Sequence, residues 1–415
     1  MLLGTATIDI TPPVGVMLAG GTRRRPSVAL DDPLLCKAMV LEGDATRLGI
    51  VTLDLIALDR QVSDGAKATL ERTMGIPASH LLVACSHTHS GPYTVEALDP
   101  DETPDAAYLQ RVEQAIVEAV TEASESLRRV GLGCATATLS GVAHNRRLLR
   151  PNGEVINSWL ATAEEARLLP GAGPVDETAA AWVFHEEDKP VAALWSYTLH
   201  ANTHFGPRFS ADYPGRAAAA LRREFGDGFF AAFLPGACAD VNASIGARFE
   251  DVHPRLSAAV AGLVQAAKPC AGEQLASVAR ETTLSVRDRE PFQGDEIRAK
   301  WPDSFDVFEN EHRLLAARAQ DTIRTLLQVV RIGDGAIACA PGEYFVQLGL
   351  HIKAHSPYVP TVVAELCNDY VGYIPTREAY AQGGYECFRA RTARVAAGSG
   401  ESIADALVGM LRDVA

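Results

Sequence analysis

The chain alternates short apolar, β-branched runs with stretches whose apolar positions recur every three to four residues. "CKAMVLEG", "RLGIVTLDL", "HLLVAC", "AAWVFHEE", "PVAALWSYTLH", "GFFAAFLPG", "LLQVVRIGDGAIACA" and "TVVAELC" read as strands bounded by turn residues, and Met1–Ile10 as a first strand before them. Gly-Asp-Gly at 333–335 predicts a tight hairpin. The adjoining runs 178–186 and 189–197 predict a second, so the sheet is partly antiparallel and a purely doubly wound fold is excluded.

Helical periodicity is clearest over 105–127. There Tyr108, Val112, Ala115, Ile116, Ala119 and Ala123 form one stripe, with Thr103 as the expected N-cap. Further helices are expected near 61–74, 213–225, 251–267, 308–326, 343–354 and 401–413. No sequence repeat, low-complexity tract or long linker interrupts the pattern. The expectation is a single α/β unit over residues 1–415, with mixed, partly antiparallel β-sheets covered by helices.

Charge narrows the function. The formal net charge of −14 leaves no basic stripe for a nucleic-acid backbone. The one dense basic cluster, Arg23 to Pro26, reads as a solvated loop. No apolar run is long enough to cross a bilayer, and the first residues lack the basic and apolar regions of a signal peptide. A cytoplasmic protein without stable membrane association is therefore expected. The eight cysteines (36, 85, 134, 238, 270, 339, 367 and 387) contain no C-x-x-C pair and read as buried free thiols in a reducing compartment. Cys85, beside two histidines, is also weighed as a catalytic thiol.

Candidate chemistry collects at strand ends, where loops around a rigid sheet commonly carry function. "LLVAC" runs into His87 and His89, and "ALWSYTL" ends at His200, with His204 four residues on. "AIACA" runs into Glu343, where a helix is expected to begin and its dipole to favour the carboxylate. "VVAEL" leads on to Tyr373. Imidazole and carboxylate donors suit zinc with an open position for water. On spacing alone, a metal ligand and a solvated or capping histidine remain alternatives at His87. "HANTH" and "HIKAH" (His351, His355) both have the i, i+4 spacing of a helical chelate, and "HIKAH" reads better as a helix surface. His144, His185, His253 and His312 stand alone and read as ordinary polar residues.

"SHTHSGP", "HNRR", "SYTLHANTH", "SADYPG", "FLPGACADVN", "APGEYF" and "YVGYIPTREAYAQGGYE" follow one another in this order. That series resembles the catalytic domain of the neutral/alkaline, non-lysosomal ceramidase family, in a short bacterial-type form. The resemblance implies a Zn2+ site at His87, His200, Glu343 and Tyr373, with His89, Arg146 and Tyr385 as catalytic groups. It implies hydrolysis of an amide (N-acyl) bond by metal-activated water, with His89 passing a proton to the leaving amine. Asn242 stands where the family has a serine, and the family's signal peptide and C-terminal immunoglobulin-like domain have no counterpart here. A small soluble substrate is therefore expected in place of ceramide. An esterase or lactonase on the same scaffold, and a non-catalytic metal-dependent binding protein, are the alternatives. Oligomeric state is not legible.

Overall fold

The computed structural model describes residues 1–21, 25–43, 46–96 and 103–414. Three sheets share one plan. The first contains β1 (Leu2–Asp9), β2 (Leu35–Gly43), β3 (Thr46–Leu53) and β4 (Leu81–Cys85). The second contains β5 (Gly131–Thr138), β6 (Thr178–Glu186), β7 (Lys189–Tyr197) and β8 (Phe230–Pro235). The third contains β9 (Leu275–Ser285), β10 (Thr322–Ile332), β11 (Gly335–Cys339) and β12 (Thr361–Ala364). In each sheet the first three strands form an antiparallel meander and the fourth joins its edge in parallel. A parallel neighbour needs a crossover, and a helix supplies it each time: Arg60–Met74, Asp212–Phe225 and Val346–Ala354. The architecture thus recurs where the sequence shows no repeat.

Side-chain alternation explains how the sheets pack. In β6, Ala180, Trp182 and Phe184 enter a central core, while Ala179, Ala181 and Val183 face the other way. The same central core takes Met39, Leu41 and Leu82 from the first sheet and Val330, Ile337 and Val362 from the third. The Trp182 indole N–H donates to the Ile332 carbonyl at 3.0 Å, tying two sheets together. Outer faces are covered by helices: Ala106–Glu125 with Arg60–Met74 over the first sheet, Phe249–Ala266 with Asp212–Phe225 over the second, and Ser399–Asp413 with Val346–Ala354 over the third. Strands buried on both faces read as continuous apolar runs, which is why the runs were legible.

Both predicted hairpins are present, β6–β7 and β10–β11, the latter turning at Gly333 with φ +59°. Four expectations are corrected. The helix at 106–125 is capped by Asp105, whose carboxylate accepts from the Ala107 and Tyr108 N–H groups, and Thr103 lies outside it. The helix expected over 308–326 runs from Phe305 to Ala317, and β10 then begins at Thr322, because eleven residues pair in register with β9. The helix expected from 343 starts at Val346. Finally, Arg25 is no solvated residue: its guanidinium donates to the carbonyls of Ala19 (3.0 Å) and His89 (2.9 Å). Arg23 and Arg24 lie outside the described residues. Among the described residues, no helix is long and apolar enough to cross a membrane.

Candidate metal centre

The three sheets end together. Isolated bridges join Ala84 at the end of β4 to Cys367 beyond β12, and Gly236 beyond β8 to Ala364 in β12. Each sheet then delivers one donor to the junction: His87 after β4, His200 after β7 and Glu343 after β11. Tyr373 comes from a short parallel ladder in which it is the direct partner of Glu343, so the two side chains leave the backbone next to each other.

Each imidazole is oriented by its Nδ1. That atom faces the Ile56 carbonyl at 2.7 Å in His87, the Cys238 carbonyl at 3.0 Å in His200 and the Gly20 carbonyl at 2.8 Å in His89. A carbonyl only accepts, so every Nδ1 carries a proton, and in the neutral ring Nε2 then presents a lone pair. These lone pairs point at one another: His87 Nε2 is 2.9 Å from His200 Nε2 and 3.4 Å from His89 Nε2. Glu343 Oε2 lies 3.4 Å from His87 Nε2 and 3.7 Å from His200 Nε2. That oxygen is buried without a hydrogen-bond donor, while its twin accepts from the Tyr370 hydroxyl at 2.9 Å. Lone pairs packed this closely repel unless a cation sits among them. Ligand atoms around a tetrahedral zinc lie about 3.3 Å apart, and imidazole with carboxylate is a zinc donor set. The residues fit the metal.

Backbone strain marks the same spot. His87 has φ +66°, a region costly for a side chain with a Cβ and concentrated at functional sites. At Gly20, φ is +90° and an added Cβ would fall 2.4 Å from the His89 ring, so only glycine leaves that imidazole its place. Electrostatics favour the ligand forms of two imidazoles. Burial first, then Arg146, holds His200 well below the usual histidine range; burial, then His87, does the same for His89. For His87 burial is again the largest influence and acts in the same sense, but Glu343, Glu365 and the Ile56 carbonyl together raise the pKa. Burial also pushes the Tyr373 phenol up, with Glu343 adding to it and Arg146 opposing.

Beside the donors stands a buried guanidinium. Arg146 places Nη2 3.1 Å from the Tyr373 hydroxyl and Nη1 3.4 Å from His200 Nε2. Its Nε donates to Glu386 at 2.8 Å, and the same carboxylate takes Arg147 at 2.8 Å and Asn157 at 2.9 Å. Tyr385 contacts Tyr373 edge to face, with ring centroids 5.7 Å apart. The seven residues proposed from the sequence therefore surround one point. Asn242 also reaches it, 3.4 Å from Arg146 Nη1.

Other expectations fare differently. "HANTH" is not helical, and His204 turns to Ser90 and Asp31. Glu343 begins no helix; it pairs in a strand, and the Tyr370 hydroxyl takes the part assigned to the dipole. Cys85 is buried and burial pushes its thiol up, so it is no nucleophile. Six of the eight thiols are buried, but Cys134 and Cys270 are half-buried. His351 and His355 lie at the exposed end of their helix, as read. His144, read as ordinary, lines the large cavity beside the centre.

Sequence reasoning missed the supporting carboxylates. Glu365 is fully buried and accepts from the Cys238 N–H at 3.0 Å and the Tyr344 N–H at 2.8 Å. It thereby braces both the carbonyl that orients His200 and the strand that carries Glu343. Burial raises its carboxyl to about 7. The only signal in the sequence was an acidic residue inside an apolar strand run, "VVAELC".

No family model matches the sequence, and no curated protein matches it. Solved structures do. Neutral ceramidase from Pseudomonas aeruginosa superposes with a TM-score of 0.76 at 18% identity, covering 99% of this chain and 74% of that one. A ceramidase complexed with C2 gives 0.75 at 18% identity, with the same coverage. Over nearly its whole length, this chain has the neutral-ceramidase fold.

Proposed function

We propose that residues 1–415 act as one zinc-dependent amide hydrolase on a small, soluble N-acyl substrate. The observation that carries this reading is the convergence of the His87 and His200 Nε2 atoms on a Glu343 Oε2 that has no hydrogen-bond partner. His87, His200, Glu343 and Tyr373 would hold the ion. When bound there, zinc would supply Lewis acidity towards a water and the scissile carbonyl. The remaining steps belong to the chain. His89 Nε2 takes the proton from the attacking water and returns it to the leaving nitrogen, its ring held by the Gly20 carbonyl. Arg146 and the Tyr385 hydroxyl donate to the oxygen on which negative charge develops. Glu386 fixes the Arg146 guanidinium through one buried ion pair and is itself held by a second to Arg147, so little reorganisation accompanies the reaction.

The fold shared with ceramidases supports an amide as the bond cleaved. Oxyanion stabilisation serves an ester equally, so a panel of matched amides and esters separates the two activities. The decisive experiment is His89→Ala, followed by elemental analysis and turnover. Zinc is expected to stay near-stoichiometric while the rate falls by roughly 10²–10⁴. Loss of zinc would place His89 among the ligands. Equal turnover by the variant would remove it from the mechanism.

A further inference from the structure

A cavity of about 800 Å³ opens onto His89, Arg146, Tyr373 and Tyr385. That is room for a ring-sized group beyond the scissile bond. One part of its lining is aromatic. Trp159 meets Tyr385 edge to face at 5.7 Å and Trp301 at 6.0 Å, and Trp301 lies 5.3 Å from Tyr385. The three rings touch, so they form a continuous wall that begins at the centre and runs outward. Trp159 is 44% exposed, whereas Trp182 and Trp195 are fully buried. Other segments bring Asn202, Asn242, Ser244 and Glu250 to the same cavity, together with the apolar Phe205 and Ile245.

We propose that this cavity binds a ring with one apolar face and a polar edge, and that the substrate is an N-acylated amino sugar. This rests on the amide-hydrolase reading above. A long alkyl chain would cover the wall, Phe205 and Ile245, but it would also strip water from the amides and charges between them without replacing their hydrogen bonds. A plain aryl ring has the same defect. A sugar ring presents C–H groups to the indoles and hydroxyls to Asn202, Asn242 and Glu250. Its acylamino group is attached directly to the ring. The wall therefore holds the ring beside the scissile bond, since Tyr385 belongs both to the wall and to the centre. In the reaction, water adds to the acyl carbon and the C–N bond breaks. A carboxylic acid and the ring amine leave, and no oxidant or reductant is needed.

N-acetylglucosamine is the probe. Titrated into metal-free protein, it should change tryptophan emission through Trp159 and Trp301, with Trp182 and Trp195 as a constant background. Trp159→Ala, and separately Trp301→Ala, should weaken that binding roughly tenfold. Zinc-loaded protein should release acetate from the probe faster than from an N-acetyl alkylamine or from a ceramide in detergent micelles. Cleavage of the alkylamide with neither binding nor cleavage of the sugar overturns the proposal and leaves the hydrolase standing. Binding of the sugar by calorimetry that Trp159→Ala weakens, without cleavage of any amide, supports the sugar site and overturns the hydrolase.

Discussion

Two histidine groups are built from the same two segments, "SHTHSGP" and "HANTH", yet they do opposite things. In the first, His87, His89 and His200 each spend Nδ1 on a backbone carbonyl, and their Nε2 atoms are left facing one another. In the second, His204 is satisfied on both sides: Nδ1 lies 3.1 Å from the Ser90 hydroxyl and Nε2 2.9 Å from Asp31. The second group has the composition of a serine–histidine–aspartate triad. Ser90 is fully buried, however, and its hydroxyl also donates to the His204 carbonyl at 3.2 Å, so no substrate carbonyl reaches it. What separates a candidate metal centre from a structural hydrogen-bond chain is therefore the partner of the other ring nitrogen. Residue type and spacing do not distinguish them.

The sharpest way to break this comparison is to truncate one histidine from each group. His200→Ala should lose near-stoichiometric metal and, with it, turnover by on the order of 10³ or more. His204→Ala should keep its metal and lose about 1–3 kcal/mol of stability in urea, because Asp31 and Ser90 are left short of a partner. Metal loss in His204→Ala would show that the groups are one unit.

Next in size is the brace behind the centre. Glu365→Ala should weaken zinc affinity roughly 10–100-fold, measured by chelator competition, since groups that orient ligands carry effects of that order. Glu365→Gln should restore most of it, because one amide oxygen can accept from both the Cys238 and Tyr344 N–H groups. Failure of glutamine to rescue would mean that the charge, and not the bracing, matters.

Ser90→Ala tests the triad composition directly. Turnover should be unchanged and stability should fall by less than about 1 kcal/mol. Loss of turnover would turn the second group into a catalytic one.

One further titrating group, a member of neither set, gives the background for any pH profile. Burial, then Asp369 and Glu96, pushes the Asp59 carboxyl up to about 7. Its folded pKa lies above the unfolded value of about 3.9, so the folded state binds that proton more tightly. Stability from this group is thus complete below about pH 4 and is lost as pH rises towards 7. Asp59 makes no side-chain cap to the helix it precedes, so asparagine sacrifices no hydrogen bond. Asp59→Asn should match the parent at pH 4 and exceed it by about 1–3 kcal/mol at pH 8 in denaturant melts. An equal gap at both pH values would mean that Asp59 does not titrate in this range.

Much of the candidate site was readable because its residues end strands. His87, His200 and Glu343 each follow an apolar run by a few residues, and strand ends in a covered sheet have few other places to go. The resemblance to ceramidases added Tyr373, Arg146 and Tyr385, none of which spacing alone would select. Glu365 and Glu386 stayed hidden. A buried carboxylate is invisible in sequence until its donors are known, and those donors come from chain segments up to 240 residues away. The aromatic wall was hidden for the same reason: Trp159, Trp301 and Tyr385 come from three separate segments.

The sequence by itself determined the elements. Double-sided burial forces continuous apolar strands, the Gly-Asp-Gly turn forces the hairpin at 333–335, and amphipathic periodicity places the covering helices. Boundaries failed where pairing decided the outcome, as at Thr322, where a ladder with β9 took residues that helical periodicity had claimed. Only the tertiary structure decided that three meanders, alike in plan and unlike in sequence, share one core and bring their parallel edges together. It also decided which ring nitrogen of each histidine was spent on a carbonyl and which was left facing the other imidazoles. Both outcomes rest on contacts between distant residues, and one-dimensional patterns carry no record of the distances that make them.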